Sequence, residues 1–193
     1  MKKLALTALL VGSAFSASVA MAANVGMTTH VQGGTITING KVTNNTCHIK
    51  DNQGDKVVTL PTVSKNAFVG VGSTAGRTPV AIELVDCAAK NGDTEVKAYF
   101  YADDNVTAGG RIKNTDTTTE ASYEIQLVDM DGRTPINIQR DGAATQQGQS
   151  NQYTTMSNTV TLRYFFEYYA LKAHNDLAVG NVTGKVNYIL SYK

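Results

Sequence analysis

Hydrophobic and polar residues alternate along much of the chain, with a period of two residues. The clearest example is segment 35–42, in which Ile36, Ile38 and Val42 share one face with Gly40, while mainly polar residues occupy the other face. Such alternation, in a segment rich in β-branched residues, predicts a half-buried strand. Further strands are predicted at residues 56–60, 79–85, 95–101, 123–128, 136–138, 159–171 and 184–192.

The aromatic segment 163–172 is dense enough in apolar residues to suggest a buried helix as an alternative. Its apolar residues nevertheless recur at every second position, at Leu162, Tyr164, Phe166, Tyr168 and Ala170. Aromatic residues favour strands, and a period of two is the strand period. We therefore predict a strand in this segment.

Turn residues and composition indicate an all-β protein with one domain. Segments 52–55, 90–93 and 129–132 combine Gly with Asn or Asp, whereas 108–122 and 142–157 are polar and resemble solvated loops. The 193 residues are 42% hydrophobic, with 3 Pro and no Trp, which is enough apolar content for one packed core. About seven short strands separated by frequent turns predict an antiparallel β-sandwich.

The first 22 residues are predicted to be a signal peptide. Lys2 and Lys3 precede an apolar run at residues 4–11, and Ala20-Met21-Ala22 supplies the small residues that signal peptidase accepts. Cleavage would leave Ala23 as the first residue, with the Ala23-Asn24 bond as the alternative cut, and would change the net charge from +1 to −1. We expect an exported protein, and the absence of a basic cluster argues against a nucleic-acid partner.

The chain contains two cysteines, Cys47 and Cys87. In an exported protein an isolated pair predicts a disulfide. Closing a loop of about 40 residues contributes roughly 4 kcal/mol in the chain-entropy model. A thiol nucleophile is disfavoured, because the neighbouring His48 would point to the opposite face of a strand.

No motif in the sequence indicates catalysis, a metal site or a cofactor. The three histidines, His30, His48 and His174, are far apart in sequence and form no metal-binding pair. The acidic pairs 103–104 and 129/131 lie beside Gly or Asn, where turn formation explains them. We therefore expect a non-enzymatic protein without a cofactor.

The C-terminal segment alternates up to the last residue of the sequence. Six even positions are apolar, aromatic or glycine, and the last of them is followed by Lys193 alone; they are Val182, Gly184, Val186, Tyr188, Leu190 and Tyr192. A strand at the very end of the chain has no following strand to cover its free edge, and such edges accept further strands. We expect an open edge that receives a strand from another chain, although a simple final strand remains the alternative.

These features together resemble the chaperone–usher fimbrial pilins, and specifically their type 1-like major subunits. The resemblance covers the chain from residue 23 onward and rests on segments 33–42, 82–87 and 125–132, on the penultimate Tyr192, and on Gly180 as the fourteenth residue from the end. It implies an incomplete immunoglobulin-like sandwich lacking its last strand, which a donor strand from another subunit completes. The implied boundaries are an N-terminal donor-strand extension at 23–40 and a sandwich domain at 41–193.

The resemblance also implies the partners and two sets of binding residues. A periplasmic chaperone and an outer-membrane usher would handle the subunit, which would then join identical or related pilins in an extracellular fimbria that supports adhesion. We predict that the inward face of the donor strand consists of His30, Gln32, Gly34, Ile36, Ile38 and Gly40. We predict that the acceptor groove and chaperone-binding end include Gly180, Val182, Gly184, Val186, Tyr188, Leu190, Tyr192 and Lys193.

Three alternatives to a shaft subunit remain at this point. A tip adhesin is disfavoured, because it would need a separate receptor-binding domain and the chain is too short for two sandwiches. A minor or adapter pilin shares the one-domain plan and stays open. A secreted ligand-binding sandwich would need a complete set of strands and a cluster of polar groups, which the sequence does not indicate.

Overall fold

The computed structural model describes residues 37, 42, 47–87, 95–139, 153–154 and 158–192. The chain divides into two units, Met1–Gly40 and Lys41–Lys193, and the account below concerns the second. The strands of the described part are β1 (His48–Ile49), β2 (Thr74–Val85), β3 (Glu95–Phe100), β4 (Tyr123–Val128), β5 (Pro135–Ile136), β6 (Tyr153–Thr154), β7 (Thr159–Ala170) and β8 (Tyr188–Tyr192). Short 3₁₀ turns occupy Lys50–Asn52, Lys65–Ala67 and His174–Asp176.

The strands form two antiparallel sheets. One has five strands in the order β1-β2-β7-β4-β5, and the other has three in the order β6-β3-β8. The predicted all-β architecture is confirmed, and the aromatic segment is a strand: Val160, Leu162 and Tyr164 of β7 are buried at every second position. The alternation in the sequence therefore directs one face of β7 into the core.

The disulfide predicted between Cys47 and Cys87 is present. It joins the residue before β1 to a residue just after β2, two strands that pair through His48 with Val85 and Ile49 with Leu84. Both cysteines are buried. The bond therefore anchors the short edge strand β1 to the long central strand β2.

Two apolar clusters form the core. The main one fills the space between the sheets and includes Ile82, Leu84, Val96, Phe100 and Leu162. A smaller one contains Phe68, Tyr123, Ala170 and Leu177. Because Cys87 lies beside the start of β7 and Ala170 ends this 12-residue strand, the disulfide and the smaller cluster lie at opposite ends of the sandwich.

A bulge interrupts the pairing of β2 with β7 between Ala75 and Thr78. Gly76 has a φ of 71° there, and a Cβ atom at this position would lie 2.9 Å from the ring of Tyr168. Glycine is thus required by both conformation and space. The next residue, Arg77, binds the buried Glu167 of β7 with its guanidinium group.

Several sequence predictions differ from the structure at particular segments. Residues 56–60 form no hydrogen-bonded strand, and the predicted strand 184–192 begins only at Tyr188. Both segments lack a strand to pair with. Among the described residues, β8 pairs only with β3, and no strand is hydrogen-bonded to 56–60. The predicted strand 136–138 is Pro135–Ile136, while β1, β6 and the first residues of β2 were not predicted. The predicted strand 35–42 lies outside the described residues, apart from residues 37 and 42.

Candidate functional site

An open groove of about 720 Å³ runs along one side of the sandwich. One wall is the segment from Gly54 to Leu60, and the other is the segment from Gly184 to Leu190, which includes the start of β8. The floor is apolar and is supplied by both sheets; it consists of Val80, Ile82, Phe100, Ile112, Ile125 and Phe166. The charged residues that line the groove are Asp55, Lys56 and Lys185.

The floor of the groove is part of the hydrophobic core. Ile82, Phe100 and Ile112 are each only 2% exposed, and all three belong to the main apolar cluster. A folded domain usually covers such residues with a further strand or helix, because burial of apolar surface is the main stabilising contribution to folding. Here Val80 and Phe166, which also line the floor and pack against this cluster, are only half-buried, so part of the apolar interior faces the groove.

Within the part of the chain that the structure describes, neither wall is paired in a ladder across the groove. Residues 53–64 contain no strand, and β8 forms its ladder with β3 alone among the described residues. An edge strand with free N–H and C=O groups is a template for another strand. The groove therefore combines an apolar floor, which suits alternate side chains, with walls that suit a peptide backbone.

Part of the predicted acceptor set lies along one wall, and its large side chains face the same way. Val182, Val186, Tyr188, Leu190 and Tyr192 are half-buried and pack against the main cluster, whereas residues 181, 183, 185, 187 and 189 are exposed. Of the predicted set, the structure brings Gly184, Val186, Tyr188 and Leu190 to the groove itself. Their binding role stays a prediction, and Lys193 lies outside the described residues.

Two glycines of the predicted set lie in close contact with neighbouring chain segments. A Cβ atom on Gly184 would be 2.7 Å from Cδ1 of Ile125 and 2.9 Å from the carbonyl oxygen of Lys113. A Cβ atom on Gly180 would be 2.9 Å from side-chain atoms of Thr118 and Thr119. Glycine therefore allows the segment before β8 to lie against the floor and the adjacent loop.

Two tyrosines connect β8 to the start of the domain. The Tyr192 hydroxyl accepts a hydrogen bond from the Cys47 N–H at 2.9 Å and lies 3.3 Å from the Cys47 carbonyl oxygen. The Tyr188 hydroxyl donates to the carbonyl oxygen of Gly54 at 2.8 Å. Burial, with a smaller contribution from the negative charge of Asp55, raises the pKa of Tyr188.

The predicted donor residues His30, Gln32, Gly34, Ile36, Ile38 and Gly40 lie outside the described residues. Sequence reasoning missed the opposite wall and most of the floor. Val58 and Leu60 are half-buried on that wall, and the alternation in 56–60 was the available signal. The floor residues come from four strands and a loop, so no local pattern links them.

Three side chains that the sequence offered as possible metal ligands or acids lie close to backbone polar groups, as in ordinary turns and loops. His174 Nδ1 lies 2.9 Å from the carbonyl oxygen of Phe68, Asp103 accepts from the Asn105 N–H in a turn, and Asp129 accepts from the Met130 N–H. Across residues 47–87, 95–139 and 158–192, no group of three or more His, Cys, Asp or Glu could hold a metal ion. None of the helical segments in these ranges has the length and apolar character needed to cross a membrane.

Comparison with known proteins agrees with this architecture. A family model for the type-1 fimbrial protein FimA matches residues 60–193. The major fimbrial subunit SMF-1 of Stenotrophomonas maltophilia is 39% identical over 163 residues, which cover 82% of this chain and 92% of that protein. The F17 fimbrial protein of Escherichia coli is 35% identical over 164 residues, covering 83% and 87% respectively.

A chain from the structure of a chaperone–usher pilus has the same fold, with a TM-score of 0.54 at 20% identity, covering 84% of this chain and 97% of that chain. The fold is thus an incomplete immunoglobulin-like sandwich. On the family model and the two curated relatives, this chain belongs to the type-1 fimbrial protein family. Membership in a family of structural fimbrial subunits points to a non-enzymatic protein.

Proposed function

We propose that this chain is a structural fimbrial subunit that polymerises by strand donation. In this proposal the extension at residues 23–40 of one copy fills the groove of the next copy. The observation that carries the proposal is the open groove, whose floor belongs to the hydrophobic core and between whose walls the described part of the chain places no strand.

A donated strand fits the chemistry of both the walls and the floor. Its backbone can hydrogen-bond to β8 and to the Gly54–Leu60 wall, while alternate side chains point to the floor. The donor pattern places Ile36 and Ile38 on one face. Burying each of these isoleucines would contribute about 1.5–3 kcal/mol, in addition to the backbone hydrogen bonds.

The same reasoning implies a partner before assembly. A subunit with an unoccupied groove would aggregate, because half-buried apolar side chains and unpaired strand edges both promote association. We propose that a periplasmic chaperone occupies the groove and contacts the C-terminal segment, including Gly180, Tyr192 and Lys193. Delivery to an outer-membrane usher would then place the subunit in an extracellular fimbria that supports adhesion.

The experiment compares the thermal unfolding of two versions of the domain from residue 40 onward. One version ends at Lys193, and the other carries a flexible linker and a copy of residues 30–42 after Lys193. If the groove needs a donated strand, the first version should be unstable or aggregated, and the second should be a stable monomer with a clearly higher melting temperature.

A matched control carries Ile36→Asp and Ile38→Asp within the linked copy. It should behave like the unlinked domain, because two charged side chains cannot be buried on an apolar floor without partners. Equal, high melting temperatures for all three proteins would mean that the domain is already complete. That result would reject the strand-donation proposal.

A further inference from the structure

Three exposed valines lie at the end of the sandwich that is opposite the disulfide. Val69 and Val71 are 89% and 68% exposed and closely follow Phe68 in the chain. Val179 is 84% exposed and lies two residues after Leu177. Because Phe68 and Leu177 both belong to the smaller apolar cluster, the two turns lie at the same end of the sandwich. We call these three side chains the valine patch.

Hydrogen bonds hold both turns that carry the valine patch. The Gly72 N–H donates to the carbonyl oxygen of Ala170 at 2.8 Å. On the other turn, the Tyr123 hydroxyl donates to the carbonyl oxygen of Ala178 at 3.0 Å. Single apolar residues are normal on a protein surface, but three valines on two hydrogen-bonded turns over one cluster form a patch that suits contact with another protein.

The groove runs between this end of the sandwich and the disulfide end. β8 finishes at Tyr192, whose hydroxyl is hydrogen-bonded to Cys47, whereas Val182, before β8, packs against the smaller cluster. Every pair of strands in the described part of the chain is antiparallel, and antiparallel pairing is slightly the more stable kind. A donated strand that pairs antiparallel with β8 therefore finishes at the end that carries the valine patch.

The length of the chain then brings the donor copy close to the patch. A strand donated by residues 23–40 continues through residues 41–46 to Cys47 of its own domain. This stretch spans at most about 25 Å when fully extended. The disulfide end of the donor copy therefore lies within that distance of the valine patch. The stretch also contains Val42, which is 99% exposed and available for apolar contact.

We propose that the valine patch is a second contact between successive subunits, outside the groove, which packs against the disulfide end of the copy that donates the strand. This inference rests on the proposed function. The occupant is a second copy of this chain, because the donated strand tethers that copy at this end of the sandwich. Two linked contacts hold a partner more tightly than one, so a whole subunit should be retained longer than its isolated extension.

The test compares the release of two donors from one acceptor. The acceptor is the full mature chain with Ile36→Asp, so that its own extension does not compete. It is refolded with its disulfide in an excess of donor, so that the groove is filled as the domain folds. One donor is a fluorescent peptide of residues 23–40. The other is the fluorescent mature chain with the linked copy of residues 30–42 after Lys193, which fills its own groove and leaves its extension free.

The rate of donor release is followed by fluorescence anisotropy in excess unlabelled peptide. An acceptor with Val69→Asp and Val179→Asp, one substitution on each turn, should release the donor chain at least about tenfold faster than the acceptor with an intact patch, because charged side chains oppose burial against the next copy. Release of the peptide should change by less than about twofold, because the peptide finishes before Val42 and the substituted positions lie outside the groove.

Val57→Asp in the acceptor is the matched control. Val57 is 97% exposed, like the valines of the patch, but it lies on the segment that forms one wall and does not line the groove. Both donors should leave this variant at the rate measured for the acceptor with an intact patch. The control thus separates the effect of a new surface charge from the effect of the patch.

The outcomes distinguish the failure of this inference from the failure of strand donation. If the peptide forms no complex with the acceptor, strand donation is rejected, and the inference about the valine patch with it. If the peptide binds and the double variant releases the donor chain at an unchanged rate, only the valine-patch inference is overturned. It is also overturned if both donors are released faster by the same factor, or if Val57→Asp has the same effect as the double variant.

Discussion

Glu167 is a carboxylate on β7 that is only 2% exposed. Its Oε2 accepts from Arg77 Nε at 2.8 Å, and its Oε1 accepts from Gln126 Nε2 at 2.9 Å. Both oxygens are thus hydrogen-bonded, which is what a buried carboxylate requires. Together these contacts join β7 to β4 and to the bulge in β2.

We predict that Glu167→Ala lowers the free energy of unfolding by about 2–3 kcal/mol. The variant leaves the Arg77 guanidinium and the Gln126 amide without their acceptor, and the partial exposure of Arg77 moderates the cost. Urea unfolding of the oxidised domain with the linked copy of residues 30–42 after Lys193 measures the change. Glu83→Ala is the control, since it breaks only the solvent-exposed ion pair with Lys50 and should have a much smaller effect. Equal losses for both variants would contradict the prediction.

Asp131 should titrate at unusually low pH. The Thr134 hydroxyl and the N–H groups of Thr134 and Arg133 all donate to its carboxylate, and these hydrogen bonds lower its pKa from 3.8 to about 2. Because the folded pKa is the lower one, the stabilising effect is complete above the unfolded value of 3.8 and is lost as the pH falls towards 2.

The prediction for Asp131 is checked by NMR titration of its carboxyl carbon, with an expected midpoint near pH 2. Thr134→Val removes the hydroxyl that contributes most and should move the midpoint upward towards 3.8. A midpoint near 3.8 in the unmodified chain would mean that this turn between β4 and β5 does not hold the carboxylate as described.

Gly184 lies in the segment that precedes β8, at a position with no room for a side chain. We predict that Gly184→Val lowers the free energy of unfolding by about 1–3 kcal/mol, because overpacking would push this segment away from Ile125 and Lys113. Gly70→Ala is the matched control, since no atom lies within 4 Å of a Cβ at that position. Denaturant unfolding of both variants, each in the domain with the linked copy of residues 30–42, provides the measurement. A Gly184→Val variant as stable as Gly70→Ala would show that the segment can move at no cost.

The strands show which parts of the fold could be predicted from the sequence. The strands β4 and β7 could be predicted because their sequences alternate over at least six residues. Both predictions hold because each strand lies between two neighbouring strands in the sheet. The two-residue strands β1 and β6 are too short to show a period. The bulged start of β2 was missed because Gly76 and Arg77 break its alternation.

The groove shows a different limit of sequence reasoning. The inward positions of β8 could be read from their alternation, but the floor combines residues that are far apart in sequence, such as Ile82 and Phe166. Residues 56–60 alternate like a strand and yet form none in the isolated chain. Their pattern is understandable if the neighbour that would pair with them comes from another molecule.

The sandwich has one well-secured side, which is the five-stranded sheet, and one open side, where the groove lies. The disulfide, the long β2–β7 ladder and the Glu167 network secure the five-stranded sheet, whereas the groove runs along β8 at the edge of the three-stranded sheet. This asymmetry allows the chain to form most of its core alone while one strand position stays available. If the proposed strand donation holds, the stability of each subunit should depend on an occupant of the groove.

A substitution in the extension at residues 23–40 should therefore block polymerisation and leave the folding of the sandwich domain unchanged. We predict that Ile36→Asp abolishes fibre formation, because a carboxylate on the inward face of the donor cannot be buried on the apolar floor. The complex with the proposed chaperone should persist, since in the proposal that complex would use the groove and the C-terminal segment of the same subunit. Electron microscopy and sedimentation measure the fibres, and co-purification measures the complex.

The matched control for this prediction is Thr37→Asp, which places the same charge on the opposite face of the extension. Its fibres should form, because that side chain points away from the floor. Normal fibres from Ile36→Asp would remove Ile36 from the donated strand. Loss of fibres from both variants alike would mean that the extension tolerates no charge on either face, which would contradict the inward orientation assigned to Ile36.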